Sequence, residues 1–260
     1  MRVDPFDLPD LTRDAMLGGR VMVLQPRDGY RAGTDPVILA ASVQARAGET
    51  VLELGCGGGA ALCCLGWRVP GLALSGLEIQ PGYADLARRN LDGNGLNGEI
   101  HEGDVAAPPA ALKARSFDHV IANPPYFEVG KGLSAQDGGR GKGRTGDVPL
   151  SVWVDTAARR LKPRGHATFI QRVERLPELM AAMQAVLGGL ELLPLLPRPG
   201  RPPRLVLLRG RKEARTPFRF HPPKVIHPEG VMGNGQKNYS ECFFSVMTEG
   251  APLTFEPDFG

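Results

Sequence analysis

"TVLELGCGGGAALCCLGWRV", residues 50–69, decides the fold. "TVLELG" (50–55) reads as a short buried strand, and "GGAALCCLGWRV" (58–69) as a helix that opens on glycines. Glycines at such a junction permit positive φ and let a ligand approach the backbone closely. Outward from this unit the chain keeps alternating. Strand-like segments stand at 72–79, 99–104, 116–125 and 166–172, with helical spacing at 81–95, 149–161 and 176–189. Asn94-Gly95 and Lys162-Pro163-Arg164-Gly165 stop two of the helices. Two last strands, 190–196 and 203–211, have no helix between them. The order predicts an α/β fold: a doubly wound, mostly parallel seven-stranded sheet with an antiparallel edge hairpin. Ahead of it a helix begins at Asp35-Pro36, where Thr34 or Asp35 can cap and Pro36 suits the first turn. The expected organisation is an N-terminal segment and capping helix over 1–47, a core over 48–212 and a C-terminal extension over 213–260.

Composition narrows the class. At 260 residues and 42% hydrophobic content the chain can bury a core of its own. No apolar run is long enough to span a bilayer, and the acidic start "MRVDPFDLPDLTRD" lacks the layout of a signal peptide. No membrane association is expected, and a monomer is assumed. Cys56, Cys63, Cys64 and Cys242 form no CxxC pair, and His101, His119, His166, His221 and His227 are scattered. A reduced cytoplasmic protein without a metal is expected. Cys63-Cys64, Trp67 and Trp153 read as core, and Asp4, Asp7, Asp10 and Asp14 as a solvated cluster. The formal charge of +3 is mild, but nine Lys and Arg between Pro194 and Lys224 are opposed only by Glu213. The glycine-rich stretch Glu128–Asp147 adds Lys131, Arg140, Lys142 and Arg144. Such blocks are compatible with nucleic-acid binding or with a plain solvated face.

The glycine loop admits two ligands. Gly55-x-Gly57-x-x-Ala60 fits a dinucleotide fingerprint, with Glu78 ending the next strand as its ribose carboxylate. The same stretch also reads Glu53-x-Gly55-x-Gly57-x-Gly59, which resembles the nucleoside loop of S-adenosylmethionine-dependent methyltransferases. A carboxylate at Glu53 would repel a pyrophosphate but suits sulfonium and ammonium groups. Asp104 ends the third strand, where class I methyltransferases place an acid toward the adenine amine. In open α/β sheets ligands bind outside the carboxyl ends of the strands, so Gly55–Gly59, Glu78, Asp104 and Asn123 should share one crevice.

At that crevice "FDHVIANPPYF" (117–127) ends a buried strand in Asn123-Pro124-Pro125-Tyr126. Two prolines cannot donate to a ladder and stiffen the chain. An exocyclic amine or side-chain amide is a poor nucleophile because its lone pair is delocalised. The Asn123 side-chain oxygen and the Pro124 carbonyl can accept both of its protons and draw the nitrogen toward sp³ geometry. Tyr126, with Phe127 beside it, would stack on the planar substrate.

NPPY occurs in adenine-N6 methyltransferases of DNA and RNA and in enzymes that methylate release-factor glutamine. The latter usually carry a helical domain ahead of the glycine loop, and about fifty residues precede it here. Residues 11–43 and 222–247, with Gly33-Thr34-Asp35 and Tyr239-Ser240, resemble the bacterial tRNA adenine-N6 methyltransferases that modify an anticodon-loop adenine of a valine tRNA. The resemblance implies S-adenosylmethionine as donor, S-adenosylhomocysteine as product and tRNA as partner. It implies donor contacts from Gly33, Thr34, Asp35, Glu53, Gly55, Cys56, Gly57, Gly59, Glu78, Ile79, Asp104, Val105 and Asn123, with Tyr30 and Arg31 lining the pocket or merely packing. Catalysis would fall to Asn123, Pro124, Pro125 and Tyr126. RNA contacts are expected from Lys131, Arg140, Lys142, Arg144, Arg209, Arg211 and Lys212. Methylation of rRNA or of release-factor glutamine, a nicotinamide oxidoreductase and an inactive RNA-binding protein are the alternatives.

Overall fold

The computed structural model describes residues 4–126, 148–229 and 238–256. In chain order the elements begin with β1 (Leu11–Met16), β2 (Val21–Pro26), α1 (Asp35–Ser42), β3 (Thr50–Leu54) and α2 (Ala60–Arg68). They continue with β4 (Ala73–Glu78), α3 (Pro81–Gly93), β5 (Gly98–Glu102), α4 (Ala110–Lys113), β6 (Phe117–Ala122) and α5 (Leu150–Arg160). The remainder are β7 (Leu161–Arg172), α6 (Leu176–Val186), β8 (Gly188–Leu196), β9 (Leu205–Arg211), β10 (Arg219–Phe220), β11 (Lys224–Val225) and α7 (Glu241–Phe244).

The main sheet runs β5-β4-β3-β6-β7-β9-β8, with β10 and β11 added beyond β8. The seven long strands are the expected ones, and all pairings are parallel except the two made by β9. The hairpin is not simply appended: β9 inserts between β7 and β8, so the outer edge is β8 with two short parallel pieces. The strand order reverses between β3 and β6, where Leu54 pairs with Ala122. Gly55 and Asn123 therefore leave the sheet side by side, at the switch point where ligands of such sheets bind. Apolar residues fill both faces, one layer built on α1 and α2 and the other on α5 and α6.

Sequence reading gives no strand before residue 50, yet β1 and β2 form an antiparallel hairpin with Leu11 facing Pro26 and Met16 facing Val21. Only Leu11 and Met16 of β1 are buried, so its alternation is weak. The hairpin is held from α3 by two asparagines one turn apart. Asn90 Oδ1 accepts from Leu24 N at 2.7 Å, and its Nδ2 donates to Leu24 O at 3.0 Å and Gly58 O at 2.8 Å. Asn94 repeats the pattern on Met22, at 2.9 and 2.7 Å. Side-chain amides thus replace a neighbouring strand, and Asn90 also grips the glycine loop. Asn90→Ala should destabilise the fold by about 2 kcal/mol, since it strands three backbone groups in a 2% exposed position. Urea unfolding checks this; an unchanged midpoint would show that water replaces those bonds.

Three further expectations are corrected. Neither Thr34 nor Asp35 caps α1: Thr34 is already in αR geometry with no side-chain cap bond, although Pro36 does occupy the first turn. Lys162–Gly165 does not separate α5 from β7; the strand begins directly at Leu161 and these residues form an irregularity in its pairing with β6, with Arg164 at φ +65°. Asp14 is not merely solvated: it pairs with Arg31 and accepts from Gln25 Nε2 at 2.7 Å. At the far end of the chain, Phe243, Val246, Leu253 and Phe255 enter the core layer of α1 and α2. Ser240 caps α7.

Candidate active site

The glycine loop is shaped by its neighbours. Gly55, Gly57 and Gly59 have φ of +65°, +52° and +77°, which side chains rarely adopt. A Cβ at Gly55 would stand 2.6 Å from Trp153 Cη2, and one at Gly59 would stand 3.2 Å from Ala87 Cβ. The loop is tied to β4 by Glu78, whose Oε2 accepts from Gly57 N and Oε1 from Gln80 N, both at 2.9 Å. Burial raises the Glu78 carboxyl above its ordinary range, and these N–H groups restrain the rise.

Glu53 is 4% exposed, on β3 beneath the loop. Its Oε2 has no hydrogen-bond partner among the described residues. Burial pushes its carboxyl well above the usual range, the Leu62 N–H in the first turn of α2 opposes this, and Glu78 adds to it. A buried carboxylate oxygen with nothing to accept is costly unless something cationic or a donor completes it. Tyr30 closes this side with its ring near Gly57, and its hydroxyl is pushed up to about 12 by burial, then by Glu53 and Asp35. Arg31 holds the segment down by donating to Pro26 O and Thr12 Oγ1.

Beside the loop, Gly55, Glu78, Ile79, Asp104, Val105, Val148 and Trp153 line a small cleft. Asp104 Oδ1 accepts from Ala106 N at 2.8 Å, which orients the carboxylate. Trp153, read from sequence as core, is 3% exposed and forms a wall of this cleft. Its sequence context, an apolar helix face, carries no sign of that second role. The Cys56 thiol packs toward Gly76 and donates to Gly57 O within the loop at 3.8 Å, and burial raises it.

The elbow follows β6 on the other side of Gly55. The Tyr126 hydroxyl donates to Asp35 Oδ2, and the Arg172 guanidinium lies over the Tyr126 ring at 5.1 Å. Asp35, expected at the donor, thus orients the aromatic ring of the elbow. Gly33 is exposed and Thr34 half-buried, with Thr34 Oγ1 donating to Asp35 Oδ1 at 3.3 Å. Fully buried Gln171 donates to Pro124 O at 3.4 Å, and Arg175 Nη1 donates to Pro125 O at 3.1 Å. Arg175 also pairs with Glu178, which accepts from Leu150 N at the start of α5. The brace therefore links the elbow to the helix that carries Trp153. Sequence reading missed Gln171 and Arg175, because their partners are backbone carbonyls some fifty residues away.

Of the residues expected at RNA, Phe127, Lys131, Arg140, Lys142 and Arg144 lie outside the described residues. β9 runs against β7, pairing Arg172 with Leu205 and His166 with Arg211, so Arg211 and Lys212 sit toward the end of the sheet away from the crevice, while Arg209 lies midway, paired with Thr168. The direction of β9, which the basic composition of the hairpin does not give, sets which of its residues lie nearer the crevice.

The model of the methyltransferase small domain matches residues 31–137, spanning the Gly33–Asp35 stretch, the glycine loop and the elbow. The chain has the class I methyltransferase fold. It is 23% identical to the tRNA1(Val) (adenine(37)-N6)-methyltransferase of Haemophilus influenzae, covering 84% of this chain and 90% of that one. The enzyme of the same name from Tolumonas auensis is 28% identical over 74% and 81%. Among solved structures, a predicted O-methyltransferase from Agrobacterium tumefaciens superposes with a TM-score of 0.68 at 26% identity, covering 85% of this chain and 98% of that one. A 16S rRNA N2 methyltransferase from T. Thermophilus, in complex with AdoMet and guanosine, shares the fold at a TM-score of 0.55 and 20% identity, over 78% and 50%. The four cysteines are free, and no helix of the described residues is long and apolar enough to cross a membrane.

Proposed function

We propose that this protein moves a methyl group from S-adenosylmethionine to the exocyclic N6 of an adenine in tRNA, acting in the cytoplasm. The observation that carries this reading is the side-by-side exit of the glycine loop and Asn123 from two paired strands, in a chain whose relatives bear a tRNA adenine-N6 name. Residues 48–212 would hold the reaction, with 1–47 covering the donor side and 213–260 packed along the core.

The donor side fits a cationic nucleoside. Glu53 offers an unfilled buried oxygen to an ammonium or sulfonium, and Gly55–Gly59 leave room for close backbone approach. Glu78 and Asp104 would accept from ribose hydroxyls and an adenine amine, against the flat wall of Trp153. When bound, S-adenosylmethionine supplies an electrophilic methyl, its S–C bond breaking as the N–C bond forms, with loss of S-adenosylhomocysteine and of one amine proton to water. On the acceptor side, Asn123 Oδ1 and Pro124 O would receive the two amine protons, while Tyr126 holds the base flat. Gln171 uses one lone pair of the Pro124 carbonyl and leaves the other for substrate.

RNA in which the target adenine is replaced by inosine tests this chemistry, because inosine has no exocyclic amine. No methyl should enter it. Methylation of that RNA would place the accepting atom elsewhere.

Glu53 gives a pH prediction. Its folded-state carboxyl titrates above the ordinary range, so without donor the folded protein holds a proton that the unfolded chain has released. Between the ordinary and raised values, stability of the donor-free protein should fall as pH rises. A cation at Glu53 favours the ionised form, so donor binding in that window should release a proton. Calorimetry in buffers of different ionisation enthalpy reads this, with Glu53→Gln abolishing the effect. Equal binding heats in all buffers would remove Glu53 from the donor contacts.

A further inference from the structure

We propose that the acceptor RNA is held by the proline-stiffened turn between β8 and β9, through Arg198, Arg201 and Arg204, together with Arg172 at the end of β7. This inference rests on the RNA reading above and names the surface that reading lacks.

The antiparallel direction of β9 decides it. β7 ends at Arg172, opposite Leu205, so the turn that precedes Leu205 lies at the carboxyl end of the sheet, where the Asn123 elbow also emerges. Val173 N donates to Arg204 O at 3.1 Å and Arg204 N to Leu195 O at 3.3 Å, which fixes the turn's exit beside Arg172. Arg172 in turn lies over Tyr126. A continuous basic rim thus starts at the aromatic ring of the elbow and runs outward.

All four arginines are exposed. No acidic residue occurs between Glu191 and Glu213, and on the β7 side the acid next along the chain is Glu174. The turn "PRPGRPPR" (197–204) holds four prolines, and Gly200 takes φ +68°. Such a backbone has little freedom to lose, so its guanidinium groups are presented at low entropic cost. Arg198 also reaches Pro228 O at 3.4 Å, which anchors it along the rim. The basic residues farther along β9 are occupied. The Arg209 side chain is 13% exposed, pairs with Glu191 at 3.1 Å and packs on the Phe255 ring at 4.3 Å. Arg211 Nε donates to Arg164 O at 3.0 Å, and Lys212 Nζ to Leu161 O at 2.8 Å.

The test compares two charge reversals of equal size. Arg201→Glu with Arg204→Glu changes the rim. Arg211→Glu with Arg215→Glu changes the far end, Arg215 following Ala214, whose carbonyl lies against Gly188 at the start of β8. Affinity for unmodified bulk tRNA is measured across a salt series, with thermal unfolding to show that each variant folds. The rim variant should bind at least about tenfold more weakly, with a salt slope shallower by roughly 1.5, while the far-end variant stays within about twofold. Equal losses, or a larger loss at the far end, would overturn the proposed surface while leaving the RNA reading intact. A parent protein that binds no tRNA at all would overturn both.

Discussion

Asn123→Ala should lower the rate of methyl transfer by about 100- to 1,000-fold while donor affinity changes less than about threefold. The substitution removes one of two acceptors for the amine protons and leaves the other, the Pro124 carbonyl, braced by Gln171. It leaves the glycine loop and the Glu78 ties untouched, since none of these bonds involves the Asn123 side chain. Loss of alignment is costly here because positioning can supply on the order of 7–11 kcal/mol of a displacement barrier. The defect should appear in single-turnover rates at saturating donor and acceptor, with both dissociation constants measured separately. A variant that turns over at the parental rate would remove the elbow from the chemistry.

Gly55→Ala should abolish donor binding at micromolar concentrations and lower stability by about 2–4 kcal/mol. Two effects add. The residue holds φ +65°, and its new Cβ would meet Trp153 Cη2 at 2.6 Å and Cζ3 at 2.9 Å. Trp153 is 3% exposed and lines the cleft with Glu78 and Asp104, so displacing its ring disturbs that cleft. Gly93→Ala is the control: it ends α3 with nothing within 4 Å of the added atom, and should be neutral or slightly stabilising. Donor titration and thermal unfolding of the two variants check this. Parental donor affinity in Gly55→Ala would show that the cleft is not the donor site.

Much of the core was legible because its signals are local. Buried parallel strands read as short apolar runs, and the glycine loop and the double proline punctuate them, so β3 to β9 stand where their patterns predict. The convergence of Gly55 and Asn123 follows from strand order alone, through the reversal between β3 and β6. What stayed hidden depends on long-range pairing. The hairpin β1–β2 buries too few residues to alternate cleanly, and Asn90 and Asn94, its holders, look like ordinary helix positions. Gln171 and Arg175 serve backbone carbonyls and have no motif of their own. Trp153 is both core and cleft wall, two roles with one sequence signature. The basic hairpin was visible as composition, but which end faces the crevice is set by the direction of β9, a property of the sheet.

The central claim is tested most directly by offering labelled S-adenosylmethionine with three acceptors in parallel, unmodified bulk tRNA, ribosomal RNA and peptide release factor, followed by nucleoside and amino-acid analysis. N6-methyladenosine is expected in tRNA, with no label in the other two. Label in release-factor glutamine or in ribosomal RNA, with tRNA left unmodified, would contradict it.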